Sequence, residues 1–287
     1  MAENLMAQEQ ARVEPSTGVK TMAREDLSSK RRLWVPLIRI AVIGGFLALW
    51  EAASTWWIEP FLISSPTRIV NSLIYGFQSG DLMANTWVTF QEIAIGFPVG
   101  AILGIALGFW FGRSKNLAEI FEPIIIALNG IPRTALAPLF IVWLGIGLWS
   151  KVGVVFLLTF FLNFFNTYAG MRQMDQEYID LARLMGAGRW KLTFLVILPA
   201  ISPYVFIGIR TSIPFAVIGA IVGEFVAATE GLGYFIRSSA GLFKTADVFV
   251  GIIVLMFMVI VMDKIAEMIE RRALRWQART DHVTIQG

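Results

Sequence analysis

Six long apolar runs separated by polar segments dominate the chain. They lie at about 33–53, 87–112, 120–144, 152–169, 194–227 and 248–262. An apolar run of about 20 residues is long enough for an α-helix to cross a bilayer. Such a segment must be helical, because no water is present to bond its backbone amides. The pattern therefore predicts an all-α membrane protein with six transmembrane helices.

The polar segments predict the orientation of the chain. Residues 1–32 have scattered charges and no apolar run, which predicts a disordered tail; 33–271 forms the six-span domain, and 272–287 is a basic tail. Six spans place both termini on one side. Fourteen basic residues fall on that side, and the other side holds only Arg68, Lys151, Arg237 and Lys244. Because Lys and Arg accumulate on the cytoplasmic side, both termini are predicted to be cytoplasmic.

The second apolar run carries a stripe of glycines. They occur at four-residue intervals, at Gly96, Gly100, Gly104, Gly108 and Gly112. Residues four apart share one face of a helix, and small residues there let another helix approach closely. The stripe predicts a helix-packing seam. The sequence leaves open whether this seam is fixed or slides during gating.

The third apolar run is interrupted at 129–133. Pro132 lacks an amide hydrogen, and a helix broken at membrane depth is usually found lining a cavity. Arg133 lies beside the break. A charge inside a membrane is costly and therefore a candidate for function. Arg133 is expected either to attract an anion along a pathway or to pair with a carboxylate or a helix end and hold the bend.

Other polar residues inside the apolar runs are further candidates for a translocation pathway. Asn163 and Asn166 are expected to face the pathway or to hydrogen-bond between helices. Glu224 is expected to line a gate, to contact a docked protein or to extend to water. Arg210 is expected to pair structurally, and Glu92 is expected at the membrane interface.

A polar segment broken by glycine, at 180–199, lies between the fourth and fifth runs. Its first part, from about 177 to 185, places Leu181, Leu184 and Met185 on one face of a short amphipathic helix. Gly186 and Gly188 then suit the positive φ that ends a helix. A second helix is predicted to start immediately after them. The segment thus reads as a helix, a tight turn and a helix, with Asp180 expected near the first helix start, where the dipole favours a carboxylate by about 0.3–1 kcal/mol.

This segment is similar to the EAA loop of permease subunits of ATP-binding-cassette (ABC) importers. The residues that fill the pattern are Asp180, Leu181, Ala182, Gly186, Val196, Leu198 and Pro199. Four further stretches resemble the branch that imports nitrate, sulfonates, taurine and related compounds: SSPT at 64–67, IPRTALAPLFIVWLGIG at 131–147, NTYAGMR at 166–172 and GLGYFI at 231–236. The resemblance covers about 34–271, and it departs from the family at Asp180 for Glu and Leu181 for Ala.

The resemblance implies a type I (MetI-like) permease of the bacterial inner membrane. It implies that a coupling loop at about 172–199 contacts an ATPase subunit through Asp180, Leu181, Ala182, Arg183, Leu184, Gly186, Ala187 and Gly188. The implied partners are two ABC ATPase subunits, a second permease copy in a homodimer, and a periplasmic or lipid-anchored solute-binding protein. ATP and Mg are expected on the ATPase subunits, with no cofactor on this chain. The implied solute is a small anion such as nitrate, taurine, another sulfonate or bicarbonate; the alternative is an aromatic carboxylate or vitamin precursor.

Composition removes several other classes of function. With 56% hydrophobic residues, the small net charge of +3 points to membrane lipid and topology and not to nucleic acid. The chain has no cysteine and only one histidine, His282, which excludes thiolate and histidine-based metal sites. It has no Gly-x4-Gly-Lys-Ser/Thr loop, so it lacks that route to ATP hydrolysis. An ion-gradient-driven secondary transporter, a structural or regulatory membrane protein and a membrane enzyme are the rival predictions.

Overall fold

The apolar runs fold into long α-helices. The computed structural model describes residues 17–114, 119–121, 123–124, 127–128 and 130–275, and these contain no β-strand. In chain order the helices are α1 (Thr17–Trp56), α2 (Pro60–Ile63), α3 (Pro66–Ser79), α4 (Asp81–Arg113), α5 (Ala137–Leu144), α6 (Leu148–Gln173), α7 (Gln176–Leu184), α8 (Arg189–Leu192), α9 (Leu198–Ala227), α10 (Leu232–Gly241) and α11 (Thr245–Ala273). A 3₁₀ turn at Arg133–Leu136 precedes α5, and a π turn at Thr193–Ile197 joins α8 to α9.

Five helices in the described part of the chain are long and apolar enough to cross a membrane. They are Leu37–Trp56, Asp81–Arg113, Leu148–Gln173, Arg189–Ala227 and Thr245–Ala273. The third predicted run, 120–144, is not one long helix. Its second half is the shorter apolar segment Arg133–Leu144, which follows a break at Gly130 and Pro132, as predicted; Asn129 lies outside the described residues.

The spanning helices are longer than their apolar cores. Helix α1 begins at Thr17, whereas the sequence predicts a disordered tail up to residue 32. Charged and polar residues such as Lys, Arg and Glu are good helix formers, so a helix continues beyond its apolar part. Residues 1–16 and 276–287 of the two predicted tails lie outside the described residues.

The chain divides into two compact units after Thr67. In the first unit, the Glu51 carboxylate at the end of α1 accepts a hydrogen bond from the Thr67 amide at 3.0 Å. The second unit holds the rest of the helices. Helix α3 starts at Pro66, because proline suits the first position of a helix.

In the second unit, α4 packs on α6 along the glycine stripe. A Cβ atom built on Gly100 would lie 2.7 Å from the carbonyl oxygen of Phe156, and one on Gly108 would lie 2.6 Å from that of Phe164. Gly96, Gly104 and Gly112 have similarly close neighbours on α6. The two backbones are therefore in direct contact, an approach that only glycine permits.

Helix α9 joins α6 to α11. Its Arg210 donates two hydrogen bonds to the carboxylate of Asp263, at 3.0 and 3.1 Å, and a third to Glu270 at 3.2 Å. Both acidic residues belong to α11. This forked ion pair agrees with the structural pairing predicted for Arg210.

Candidate functional site

The 180–199 segment forms a helix, a turn and a second helix. The side chain of Asp175 accepts a hydrogen bond from the Glu177 amide and caps α7. Gly186 ends the helix with a φ of +81°, a conformation that favours glycine. Gly188 has a φ of −69° and precedes α8. The positive φ predicted for Gly188 is therefore wrong, because one left-handed residue is enough to turn the chain.

Asp180 lies in the middle of α7 and not near its start. The helix begins at Gln176, so the favourable end of the dipole falls on Asp175 and Glu177. The expectation that the dipole stabilises Asp180 is wrong for that reason. Its carboxylate instead lies 3.4 Å from the Arg183 guanidinium, and both side chains are exposed. Exposed pairs of this kind contribute little to stability.

One face of α7 is anchored to the helices around it. Ile179 is 8% exposed and packs in a cluster with Met171, Leu192, Ile197 and Ile201. Ala182, one turn further on, packs against the same cluster. Ile179 is not among the residues predicted from the sequence, although its spacing of three residues from Ala182 is the signal of a buried helix face.

The opposite face of α7 is apolar and open. Leu184 is 86% exposed and Met185 is 81% exposed, and Leu181 is also exposed. Trp190 on α8 is also exposed and stacks on Phe194. Large apolar side chains exposed together usually mark a site for another protein or for membrane. We call Leu181, Leu184, Met185 and Trp190 the hook surface.

Arg133 lies at the break in the third run, in the 3₁₀ turn before α5. Its guanidinium carbon lies 4.9 Å from the ring centre of Phe161 and 5.9 Å from that of Phe165, both on α6. A guanidinium over an aromatic face is stabilised electrostatically by the ring. The two phenylalanine rings therefore stabilise the positive charge of Arg133 beside the break in the helix.

Asn163 and Asn166 have different surroundings. Asn163 is fully buried, and its amide donates to the Thr159 carbonyl at 2.9 Å and to the Ser212 hydroxyl at 3.0 Å. The second bond joins α6 to α9, which is the interhelical arrangement. Asn166 is partly buried and donates to the Leu162 carbonyl of its own helix at 2.8 Å.

Glu224 caps the start of α10 and does not extend to water. Its carboxylate accepts one hydrogen bond from the Thr89 hydroxyl at 2.7 Å and another from the Gly233 amide. The Thr89 hydroxyl in turn accepts from the Leu232 amide at 2.8 Å, and Asn85 accepts from the Gly231 amide at 2.8 Å. The first amides of a helix have no partner within the helix. Side chains of α4 and α9 supply these partners.

The GLGYFI stretch has glycine at positions 231 and 233 because no larger side chain would fit there. Gly231 has a φ of +106°, and a Cβ on either Gly231 or Gly233 would collide with the Glu224 carboxylate. The carboxylate therefore lies directly against the backbone. We call Asn85, Thr89, Glu224 and the loop at 231–233 the outer clamp.

A second carboxylate and an ammonium group lie beside the outer clamp. Glu92 is 0% exposed, and within the described residues its oxygens meet no N–H or hydroxyl donor. Lys151 on α6 is also buried and acts electrostatically on both Glu92 and Glu224. The packing of α4 on its neighbours therefore encloses Glu92 inside the bundle.

Comparison with known families identifies the chain. Residues 96–275, more than half of its length, match the family described as binding-protein-dependent transport system inner membrane component. The chain belongs to this family. It is a permease of the ABC importer class, a transport component that crosses the membrane several times.

Two curated relatives indicate the branch of the permease. It is 34% identical to the formylaminopyrimidine transport permease protein ThiX of Halalkalibacterium halodurans, over 81% of this chain and 93% of that protein. It is 30% identical to the putative aliphatic sulfonates transport permease protein SsuC of Bacillus subtilis, over 95% of this chain and 98% of that protein. The permease therefore belongs to the nitrate, sulfonate and taurine branch that its sequence resembles.

A solved structure confirms the fold class. The permease is similar to a chain of the MetNI methionine ABC transporter in an inward-facing conformation, with a TM-score of 0.61. The match covers 68% of this chain and 97% of that chain at 17% identity. The all-helical permease thus has the MetI-like, type I importer fold.

We predict that Thr89→Val destabilises the permease. Valine has nearly the shape of threonine, but it leaves the Leu232 amide without an acceptor and removes a donor from Glu224. A buried polar group without its partner costs about 1–3 kcal/mol. Denaturant unfolding in detergent micelles should show a loss in the free energy of unfolding of at least that size.

Thr211→Val is the matched control for this prediction. Among the described residues, the Thr211 hydroxyl bonds only to carbonyls of its own helix, at Ile207 and Gly208. Its loss should change the free energy of unfolding by about 0.5 kcal/mol or less. Equal effects of the two substitutions would contradict the role assigned to the outer clamp.

Proposed function

We propose that the permease forms the transmembrane pathway of an ATP-driven importer for a small anion. Two copies form a homodimer, and two ATPase subunits bind its cytoplasmic hook surfaces. A periplasmic or lipid-anchored binding protein delivers the solute from outside. ATP and Mg are bound by the ATPase subunits, and closure of those subunits drives the permease from inward-facing to outward-facing.

The observation that supports this proposal most strongly is the contrast between the buried face and the exposed face of α7. Its buried face is anchored through Ile179, so motion of the helix is transmitted to α6, α8 and α9. Its opposite face exposes Leu184 and Met185. An amphipathic helix whose apolar face fits a groove of a partner is a recurring mode of recognition. Asp180, Arg183, Ala187 and Gly188 lie around this face as further contacts.

The proposed orientation places both termini and the hook surface in the cytoplasm. The distribution of basic residues supports this orientation. The outer clamp then lies at the opposite, outer end of the bundle. An ATPase bound at one end and a binding protein at the other agree with this arrangement.

A small anion is the solute that Arg133 favours. A cation held at a broken helix attracts negative charge along a pathway, and one relative is named for aliphatic sulfonates. The relative named for formylaminopyrimidine favours the alternative solute class, an aromatic carboxylate or vitamin precursor. Both solute classes use the same mechanism.

Transport by the reconstituted complex tests the proposal. The permease, its ATPase subunits and its binding protein are placed in proteoliposomes, and uptake of taurine, nitrate, bicarbonate and an aromatic carboxylate is measured. We expect uptake of one of these solutes to require ATP and to persist when ionophores dissipate ion gradients. Uptake that needs a gradient and no ATP would instead support a secondary transporter.

We predict that Arg133→Gln lowers anion uptake by roughly tenfold or more. A hydrogen bond to a charged group is worth about 1.5–3 kcal/mol, and each 1.4 kcal/mol is about tenfold. Arg133→Lys keeps the charge and should retain most of the uptake. If both variants transport like the wild type while still binding the ATPase, Arg133 does not act on the solute.

A further inference from the structure

A cavity is lined by α7 and by the ends of α4 and α6. Its volume is about 670 Å³, within the range of roughly 300–1,000 Å³ that is typical of small-molecule sites. Its lining combines apolar side chains with the polar side chains of Arg113, Arg172, Arg183 and Gln176.

Three arginines reach this cavity from three different helices. Arg113 is the last residue of α4, Arg172 lies in the last turn of α6, and Arg183 lies in the last turn of α7. Among the described residues that line the cavity, none is acidic. Within the residues that the structure describes, the side chains of Arg113 and Arg172 form no ion pair or hydrogen bond. Arg183 pairs with Asp180, and both of these side chains are exposed.

The arrangement suits an oxyanion. A cation near a helix C-terminus is stabilised by the dipole, which explains Arg113 and Arg172 one at a time. The helix dipole does not explain why arginines from three helices line one cavity, because their like charges repel one another. The forked guanidinium matches the oxygens of a phosphate group with two parallel hydrogen bonds. A phosphate group in the cavity would neutralise the cluster.

The position of the cavity in the bundle indicates where that phosphate group comes from. The apolar runs within α4 and α6 end at about 112 and 169, so Arg113 and Arg172 follow the membrane-spanning parts closely and lie near the level of the lipid headgroups. Basic pockets between membrane-spanning helices bind anionic lipid headgroups. The volume of the cavity also exceeds what a bare phosphate ion fills. We propose that this cavity binds the phosphate headgroup of an anionic phospholipid and thereby holds the base of α7.

Lipid binding by the full-length permease tests this site without any ATPase or solute. Delipidated protein in detergent micelles is titrated with dioleoyl-phosphatidylglycerol, dioleoyl-phosphatidylcholine or inorganic phosphate, and bound lipid is counted by native mass spectrometry. We expect phosphatidylglycerol to bind, phosphatidylcholine to bind much more weakly, and phosphate to compete with phosphatidylglycerol. The double variant Arg113→Gln/Arg172→Gln should bind phosphatidylglycerol at least about tenfold more weakly.

Arg272→Gln is the matched control, because Arg272 is exposed at the end of α11 and does not line the cavity. It should bind like the wild type. If the glutamine variant does not fold, Arg113→Lys/Arg172→Lys keeps the charges but not the forks, and weaker binding by it supports the site. Equal binding by the wild type and every arginine variant would overturn the proposal. Binding of phosphate without any binding of phosphatidylglycerol would overturn its assignment to a lipid.

Discussion

Leu184→Asp is expected to abolish ATP-dependent uptake while the permease remains folded and in the membrane. Leu184 is 86% exposed, so a carboxylate there costs little in the isolated permease. In a partner groove the same carboxylate would be buried without a counter-charge. Loss of one central apolar contact costs roughly 2 kcal/mol or more, which corresponds to about 30-fold in affinity, and the buried charge adds to this loss.

Co-purification of the ATPase with the permease measures this effect directly. Leu242→Asp is the control, because Leu242 is also an exposed apolar residue but lies beyond α10, far from the hook surface in the sequence. It should leave ATPase binding unchanged. Retention of the ATPase by Leu184→Asp at the wild-type level would remove the hook surface from the mechanism.

Gly104→Leu is expected to prevent the permease from accumulating in a folded form. A Cβ atom on Gly104 would overlap the carbonyl oxygen of Phe160 and lie 3.0 Å from the Cβ of Asn163. Neither atom is the mobile end of a side chain, so α4 and α6 would have to separate. Overpacking by even one small group costs about 1–3 kcal/mol, and a leucine adds three further carbons to the contact.

The yield of monodisperse protein after size-exclusion chromatography reports this effect. Gly45→Leu is the matched control, because a Cβ on Gly45 in α1 has no neighbour within 4 Å. It should accumulate like the wild type. A normal yield of Gly104→Leu would mean that the two helices separate easily, as the alternative of a sliding seam requires.

The sequence was sufficient where the signal is local. Helix periodicity, the proline at the start of α3, the break before Arg133 and the glycine turn at Gly186 each depend on residues within a few positions of one another. The fold class follows from the apolar runs because backbone bonding in a membrane leaves few alternatives.

Partners far apart in the sequence were not predictable. Glu224 bonds to Thr89, which is 135 positions away, and no periodicity in either helix indicates that contact. The glycine stripe showed that α4 has a close partner, but not that the partner is α6. The burial of Glu92 is a further example, since only the packed bundle shows that it is enclosed.

The correct start of α7 has a signal in the sequence, although Asp180 was predicted to lie near that start. Asp175 is an acidic residue just before an apolar-periodic segment, which is a usual start of a helix. Placing the start of α7 there moves Asp180 out of the first turn. The EAA-like pattern begins at Asp180, but the helix begins after its cap at Asp175.

The anchored face and the open face of α7 together give the hook its proposed use. A helix that is exposed on all sides would move without moving the bundle. Ile179 and Leu192 tie α7 and α8 to the same cluster, and the glycine contacts tie α6 to α4. A force applied at Leu184 would therefore reach the helices that cross the membrane.

Thiol labelling of a single introduced cysteine tests the position and use of the hook most directly. The permease has no cysteine of its own, so Met185→Cys creates its only thiol, at a position 81% exposed. A membrane-impermeant maleimide should label this thiol in inside-out vesicles and not in right-side-out vesicles, and bound ATPase should protect it. Labelling from the outer side, or equal labelling with and without the ATPase, would contradict the account.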